Sequence, residues 1–429
     1  MVRSLILLTA VPFLVSAQTA PAKTIALRAA RMLDVKAGKY IEHPTILIQG
    51  GRIQSVQSNA TPPAGAEMID LGDATLLPGL IDCHTHLLED YDFSLGDDDP
   101  NMLLTVAQMS TAKRALLGVK MAREDLEAGI TAVRDLGNSG HNGDVALRDA
   151  INAGWVAGPR MYVSTRALAA AGGQFGELQP LAQKLVEEEY AVISGPEQAR
   201  QAVRQAFFDG ADLIKVIVNT GPRVLAPDEM KAIVDEAHRV GKKVAAHAIG
   251  DLATRVAADA GVDSIEHAYI IPDDALKTMA EKRIFMVPTD PALETLDEAM
   301  KTRMHLSDEQ LARWKQDEAA RQKDRIDRAI KFGIRIAFGS DMYYRNPTWG
   351  RGSASLTTLE SYAAGGMPPM EVIRTATTNA ADLLGRRIGS IEPGYFADII
   401  AVQGDPLKDI GELRRVRFVM KNGEVVKKP

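Results

Sequence analysis

Through the middle of the chain, short apolar runs bounded by turn residues alternate with amphipathic stretches. The apolar runs are LLPGLIDCH, TAVRDL, RMYVST, DLIKVIV, KVAAH, DSIEH, IFMVP and IRIAFGSD. Their length, and their apolar character on both alternating faces, fit strands buried on two sides. The intervening segments, such as APDEMKAIVDEAHRVG and SDEQLARWKQDEAARQKDRIDRAIKFG, have helical spacing. In the second of these, Ser307 and Gln310 have capping-box spacing and Gly333 ends the run. Eight strands alternating with helices predict an α/β fold, a (β/α)8 TIM-type barrel. A doubly wound open sheet is the alternative, but no GxGxxG follows an early strand to support it.

The two ends of the chain read differently. In TILIQGGRIQSVQ, Gly50-Gly51 separates two alternating runs, a strong hairpin signal, and Asn422-Gly423 does the same in VRFVMKNGEVV. These ends predict a small β-sandwich domain built from both termini, with residues 23–78 and 386–429 flanking a barrel at 79–385. Residues 1–22 have a separate reading. Arg3 supplies a positive start, Leu5 to Val15 a short apolar core, and Val15-Ser16-Ala17 a small-residue cleavage site. The expected product begins near Gln18, is exported to the periplasm or secreted, and has no membrane attachment after cleavage.

The formal charge of the 429-residue chain is −6, from 50 basic and 56 acidic residues. No basic block is present, so a nucleic-acid partner is not indicated. Cys83 is the only cysteine, which excludes an intrachain disulfide. Its alternation with His84 points it away from the histidines, as a small buried residue.

Chemistry gathers at the predicted strand ends. His84 and His86 end the first strand, two residues apart and therefore on one face. His247 ends the fifth, His267 the sixth and Asp341 the eighth. Lys215 lies within the fourth, DLIKVIV, where desolvation disfavours an ammonium. In a barrel of this type the strand C-termini form the active site, so these residues are candidate metal ligands. Glu266, next to His267, is expected to alternate away from them.

LLPGLIDCHTHL and IGSIEPGYFADIIAV resemble the two bracketing signatures of the amidohydrolase superfamily. TAVRDLG, IKVIVNTG, VAAHAIG, SIEHA and AFGSDM extend the resemblance through nearly the whole mature chain. Within that superfamily the chain is most similar to the binuclear-metal branch of Xaa-Pro and other dipeptidases, and looks like the bacterial amidohydrolases that cleave ochratoxin A. The resemblance implies two divalent metals, most simply Zn2+, with His84, His86 and Asp341 on one and His247 and His267 on the other. It further implies that Lys215 is carboxylated to N6-carboxylysine and bridges the two. A metal-bridging hydroxide would then attack a small-molecule amide substrate, with Asp341 moving the proton. The substrates implied are carboxylate-bearing: dipeptides, N-acyl amino acids, or ochratoxin A cleaved to ochratoxin alpha and phenylalanine. Relatives commonly assemble, so a homo-oligomer is implied as well.

Three further residues are candidates for substrate contact: His141 in LGNSGHNGD, Arg223 in NTGPRVL as a fork for a carboxylate, and Tyr343 after Asp341. Each would look the same as a solvated loop residue. The sequence departs from the dipeptidase pattern at Gln174, where relatives often carry a histidine, and in TGPR in place of TGG. These departures touch specificity and leave the ligand set whole. An esterase or lactonase on the same binuclear site, or a mononuclear deaminase or cyclic-amidine hydrolase, are the competing readings. The mononuclear enzymes need no lysine at the fourth strand, so Lys215 speaks against them.

Overall fold

A computed structural model describes residues 23–346 and 348–429, and the leader expected at 1–22 therefore lies outside the described residues. Parallel strands need long crossovers, and helices supply them here. Seven barrel strands are regular: Leu80–Thr85, Ile130–Asp135, Arg160–Val163, Ile214–Ile217, Val244–Ala248, Ser264–His267 and Phe285–Val287. The third continues after a break as Ala167–Ala169, which pairs in parallel with the fourth and with a short added strand, Tyr190–Val192. The eighth run, IRIAFGSD, does not form a continuous strand. It closes the barrel through single parallel bridges, Ile336 to Met286 and Met342 to Thr85, and the Asp341 N–H donates to the His84 carbonyl at 2.7 Å.

Helices including Thr111–Glu127, Pro227–His238, Asp251–Ala260 and Asp308–Lys331 form the outer layer. The last of these starts with the Ser307–Gln310 capping box, both hydrogen bonds being present. Aliphatic side chains fill the space between strands and helices, among them Val216, Ile233, Val244, Ile265 and Leu276.

Two sheets form the second domain, each using separate parts of the chain. One has the order Arg52–Ser58, Pro44–Gln49, Thr24–Arg28, Glu67–Asp70. The other joins C-terminal strands Glu424–Lys427, Phe418–Lys421 and Ile399–Val402 to N-terminal Thr75–Pro78, Arg31–Asp34 and Lys39–Glu42. Leu27, Ile46 and Ile48 of the first sheet pack on Leu76, Ile399 and Phe418 of the second, which makes a sandwich. Both expected hairpin turns are present, with positive φ at Gly50, Gly51, Asn422 and Gly423, as a two-residue turn of this hand requires.

The run LLPGLIDCH, read as one strand, is two. Thr75–Pro78 pairs with Ile399–Val402 in the sandwich, and Leu80–Thr85 enters the barrel. At the junction, the Gly79 N–H donates to Asp398 of the sandwich at 2.8 Å, and the next residue, Leu80, donates to Gly129 beside the barrel at 3.0 Å. Proline ends the first ladder because it has no N–H, and glycine lets the chain pass close to Thr131. A Cβ on Gly79 would stand 2.2 Å from Thr131 Oγ1 and 2.5 Å from its Cγ2. Gly79→Ala is therefore expected to lower stability by about 1–3 kcal/mol through overpacking, read by denaturant unfolding. Unchanged stability would show that the junction has slack.

Candidate active site and metal centre

At the C-terminal ends of the strands lies a cavity of about 580 Å³ whose wall includes His84, His86, Lys215, His247, His267 and Asp341. The volume suits a small substrate. Ligand-capable atoms of His84, His86 and Asp341 all lie within 4.8 Å of one another. His86 Nε2 is 3.0 Å and His84 Nε2 3.4 Å from Asp341 Oδ1, while Asp341 Oδ2 faces His267 at 3.7 Å. The His267 ring is 4.6 Å from that of His247 and 5.0 Å from that of His84, centroid to centroid. Lys215 Nζ approaches His84 Nε2 at 3.3 Å, and among the described residues no carboxylate reaches it within ion-pair distance.

The far nitrogens of three imidazoles are fixed from behind. Glu266 Oε2 is 2.8 Å from His84 Nδ1, the Gly137 carbonyl accepts from His86 Nδ1, and Thr289 Oγ1 is 2.7 Å from His267 Nδ1. Such partners orient a ring and select which nitrogen is left as an open donor of electrons. Glu266 is itself held by Arg134 Nη2 at 2.8 Å and by the Ser264 hydroxyl, all three buried in the barrel interior.

The expectation that Glu266 turns away from the site is corrected here. His267 and Ala268 have φ of 68° and 51°. That left-handed step breaks strict strand alternation, so consecutive residues, Glu266 and His267, both face the barrel axis. Thr289 (φ 58°) and Asp341 (φ 51°) are turned in the same way. A β-branched residue in this region is strained, and strain of this kind collects at functional sites.

Burial dominates the electrostatics. It pushes His84 and His267 well below the ordinary imidazole range and His247 down to about 3, with the charge of Lys215 adding to the effect. Burial also lowers Lys215 to about 8, against the opposing charges of Glu266 and Asp341. His86 is the exception: burial would lower it, but the hydrogen bond and charge of Asp341 raise it. The unprotonated imidazoles of His84, His247 and His267 converge with the Asp341 carboxylate and with an amine whose hold on its proton burial has weakened. A divalent cation fits such a set.

Tyr343 also lines the cavity, its ring meeting the His86 ring edge-on at 6.0 Å. Two other expected substrate contacts are placed elsewhere. His141 has a side chain 55% exposed, faces Glu188 at 3.6 Å and lines a separate surface groove. Arg223 turns its guanidinium back onto the carbonyls of Ala171 and Phe175, at 2.8 and 2.6 Å. It ties the loop after the third strand to the hairpin after the fourth, and Thr220 and Gly221 of that hairpin line the cavity instead. Arg345 is likewise spent on Asp90 and Asp92. Gln174 lines the cavity and accepts from the Tyr190 hydroxyl at 3.2 Å.

Thr289 and Tyr269 were not singled out by sequence reasoning, and Glu266 was expected to turn away. Tyr269 lines the cavity and shares the Thr289 hydroxyl at 3.1 Å. One signal was available: a lone arginine in TAVRDL and a lone glutamate in SIEH, each in a buried strand, need each other.

A parallel barrel with this donor set at its strand ends is the framework of a hydrolase. The chain belongs to the Amidohydrolase family, whose profile matches residues 75–426. It is 32% identical to the ochratoxinase of Aspergillus niger over 396 residues, 82% of this chain and 76% of that one. The crystal structure of A. niger ochratoxinase superimposes with a TM-score of 0.78, covering 95% of this chain and 96% of the other at 27% identity. A Xaa-Pro dipeptidase with methionine bound in its active site gives a TM-score of 0.80 at 30% identity, covering 94% of this chain and 100% of the other. The family generally uses a metal ion, in keeping with the His84, His86 and Asp341 group.

The hydroxyl of Thr289 should matter through the ring it holds. Thr289→Val, which keeps the shape and removes the hydrogen bond, is expected to weaken metal binding by about 10–100-fold, whereas Thr289→Ser stays near the parent. Chelator competition measures both, and equal affinities would remove Thr289 from the account.

Proposed function

We propose that this chain hydrolyses the amide bond of small substrates, dipeptides or N-acyl amino acids, at a site holding two divalent metals bridged by a carboxylated Lys215. The observation that carries this reading is the setting of Lys215: a buried amine, lowered to about 8, whose one hydrogen-bonding neighbour among the described residues is His84 Nε2. An ordinary structural lysine would have a carboxylate partner there. A free amine adds to dissolved carbon dioxide, forming an N–C bond and releasing one proton, and the resulting carbamate offers two oxygens. His84, His86 and Asp341 would hold one ion and His247 and His267 the other, with the carbamate reaching both. Zn2+ suits imidazole and oxygen donors.

Two bound divalent ions would supply a water acidic enough to ionise near neutral pH, and Lewis acidity for the carbonyl oxygen. The chain's own residues do the rest. Asp341 presents Oδ1 to His84 and His86 and Oδ2 toward His267, so its carboxylate stands between both halves of the ligand set. It would accept the proton lost by the attacking water and deliver it to the departing nitrogen, which must be protonated to leave. Tyr343 and Tyr269 line the cavity, their rings 6.0 Å from that of His86 and 5.4 Å from that of His267. The names of the relatives, an ochratoxinase and a Xaa-Pro dipeptidase, support amide hydrolysis as the reaction class.

The purified protein should carry about two divalent metals per chain, counted by elemental analysis. Lys215→Ala should lose metal and at least about a hundredfold of activity, the equivalent of several kcal/mol of transition-state stabilisation. One metal with full activity would contradict the bridge. Incubation with N-acyl amino acids, Xaa-Pro dipeptides and ochratoxin A should release an amine and a carboxylic acid in equal amounts. Ammonia without a free amino acid would favour the deaminase alternative.

Export is proposed on the leader pattern of residues 1–22. N-terminal sequencing of protein recovered outside the cytoplasm should find a start near Gln18, and an intact Met1 on that material would contradict cleavage.

A further inference from the structure

The eighth barrel run is the irregular one, and it carries Asp341. It meets the first strand, which carries His84 and His86, through single backbone bonds. Cys83 N–H donates to Phe338, Asp341 N–H to His84 and His86 N–H to Met342, at 2.8, 2.7 and 3.3 Å. Two charged side chains, both buried, reinforce this seam. Asp82 Oδ1 accepts from the backbone N–H groups of His84 and Ser340, at 3.0 and 3.1 Å. Arg351 Nη2 donates to Thr85 Oγ1 at 2.6 Å and to the Met342 carbonyl at 2.9 Å. Thr85 stands between the two histidines and Met342 follows Asp341, so each side chain joins the two ligand-bearing segments.

Arg351 is 6% exposed, and its Nε donates to Asp125 Oδ2 at 3.2 Å, a carboxylate with no exposure at all. It opens the helix Arg351–Ala364, and the next residue, Gly352, seats that helix on the end of Thr111–Glu127. A Cβ on Gly352 would stand 2.5 Å from Ala128 Cβ and 2.6 Å from the Glu124 carbonyl oxygen. The guanidinium therefore reaches the seam from a closely packed helix start. For stability alone, apolar residues of similar volume often serve as well as a buried ion pair. They could not donate to Thr85 and Met342. Asp341 has left-handed backbone, φ 51°, and such a conformation persists where the surroundings over-determine it. Asp82 holds the residue before it and Arg351 the residue after it.

We propose that Arg351 is a positioning residue. Together with Asp82 it fixes the spacing between the His84–His86 pair and Asp341, and through that spacing it governs both metal affinity and proton transfer by Asp341. The proposal rests on the metal-dependent hydrolase reading above and adds to it a group that touches neither ion nor substrate.

Two substitutions separate this role from a merely structural one. Arg351→Lys keeps a positive charge beside Asp125 but loses the planar fork. Thr85→Val keeps the shape and removes an acceptor, whereas Thr85→Ser restores it. Arg351→Lys and Thr85→Val should each weaken Zn2+ binding by about 10–100-fold in chelator competition. On the metal-saturated enzyme each should lower kcat by about tenfold or more with KM changed by less than about twofold, the mark of an interaction used in the transition state. Thr85→Ser should stay near the parent in all three values. Gly79→Ala, which strains the domain junction and touches neither clip, should also keep parent affinity. Parent-like values in Arg351→Lys or Thr85→Val would overturn the proposal, and so would an equal loss in Thr85→Ser or Gly79→Ala. If Arg351→Lys does not fold, the Thr85 pair decides. The affinity measurement uses no substrate, so it judges Arg351 even where no amide is cleaved, a result that would overturn the amide reading alone. A parent protein that binds no divalent metal would overturn both.

Discussion

Inside the barrel, out of reach of solvent, Arg134 and Glu266 form an ion pair, and the histidine end of the site hangs on it. Arg134 holds one oxygen of Glu266 and the other oxygen holds His84 Nδ1. With that nitrogen occupied, His84 Nε2 is the atom presented to Lys215 and Asp341. Removing one partner would leave a charge buried without compensation, a cost of roughly 3–5 kcal/mol. The pair is thus poorly replaceable as a structural element, and it transmits its rigidity directly to a candidate ligand. Thr289 and the Gly137 carbonyl do the corresponding work for His267 and His86.

The same closed environment sets the protonation of the site. Burial disfavours every charged form, so it holds His84, His247 and His267 neutral and brings Lys215 down to about 8. For Lys215 the attraction of Glu266 and Asp341 works in the opposite direction and burial still prevails. A lysine that spends part of its time as free amine, in a ring of unprotonated imidazoles, is suited to react with carbon dioxide and then to bind cations. One constraint, burial below the strand ends, accounts for both properties.

Much of this architecture was legible in the sequence because it rests on periodicity. Strands buried on two faces, helices with one apolar stripe, and two glycine-containing hairpins each leave a local pattern, and the six metal-capable residues stood at positions that a barrel brings together. What escaped depends on departures from regularity. Proline followed by glycine divides Leu76–His84 between two domains, although its hydrophobicity is continuous. The left-handed backbone at His267 turns both it and Glu266 inward, which strict alternation forbids. His141 and Arg223 sit on loops, where spacing says nothing of direction: one is exposed beside Glu188 and the other is folded back onto Ala171 and Phe175. Asp98 and Asp99 reach the cavity wall because one helix start meets the loop at Gly176, a tertiary contact with no local signature.

The site has two layers. The strand ends form a buried donor set, and the loops above them line the rest of the cavity. The central claim concerns the first layer, that Lys215 is a ligand through a carbamate. A crystal structure of the metal-loaded protein, with anomalous scattering to place the ions, tests it most directly. The account predicts planar density extending from Lys215 Nζ to two anomalous peaks, one beside His84, His86 and Asp341 and one beside His247 and His267. An unmodified Lys215 amine with fully occupied metal sites would contradict it.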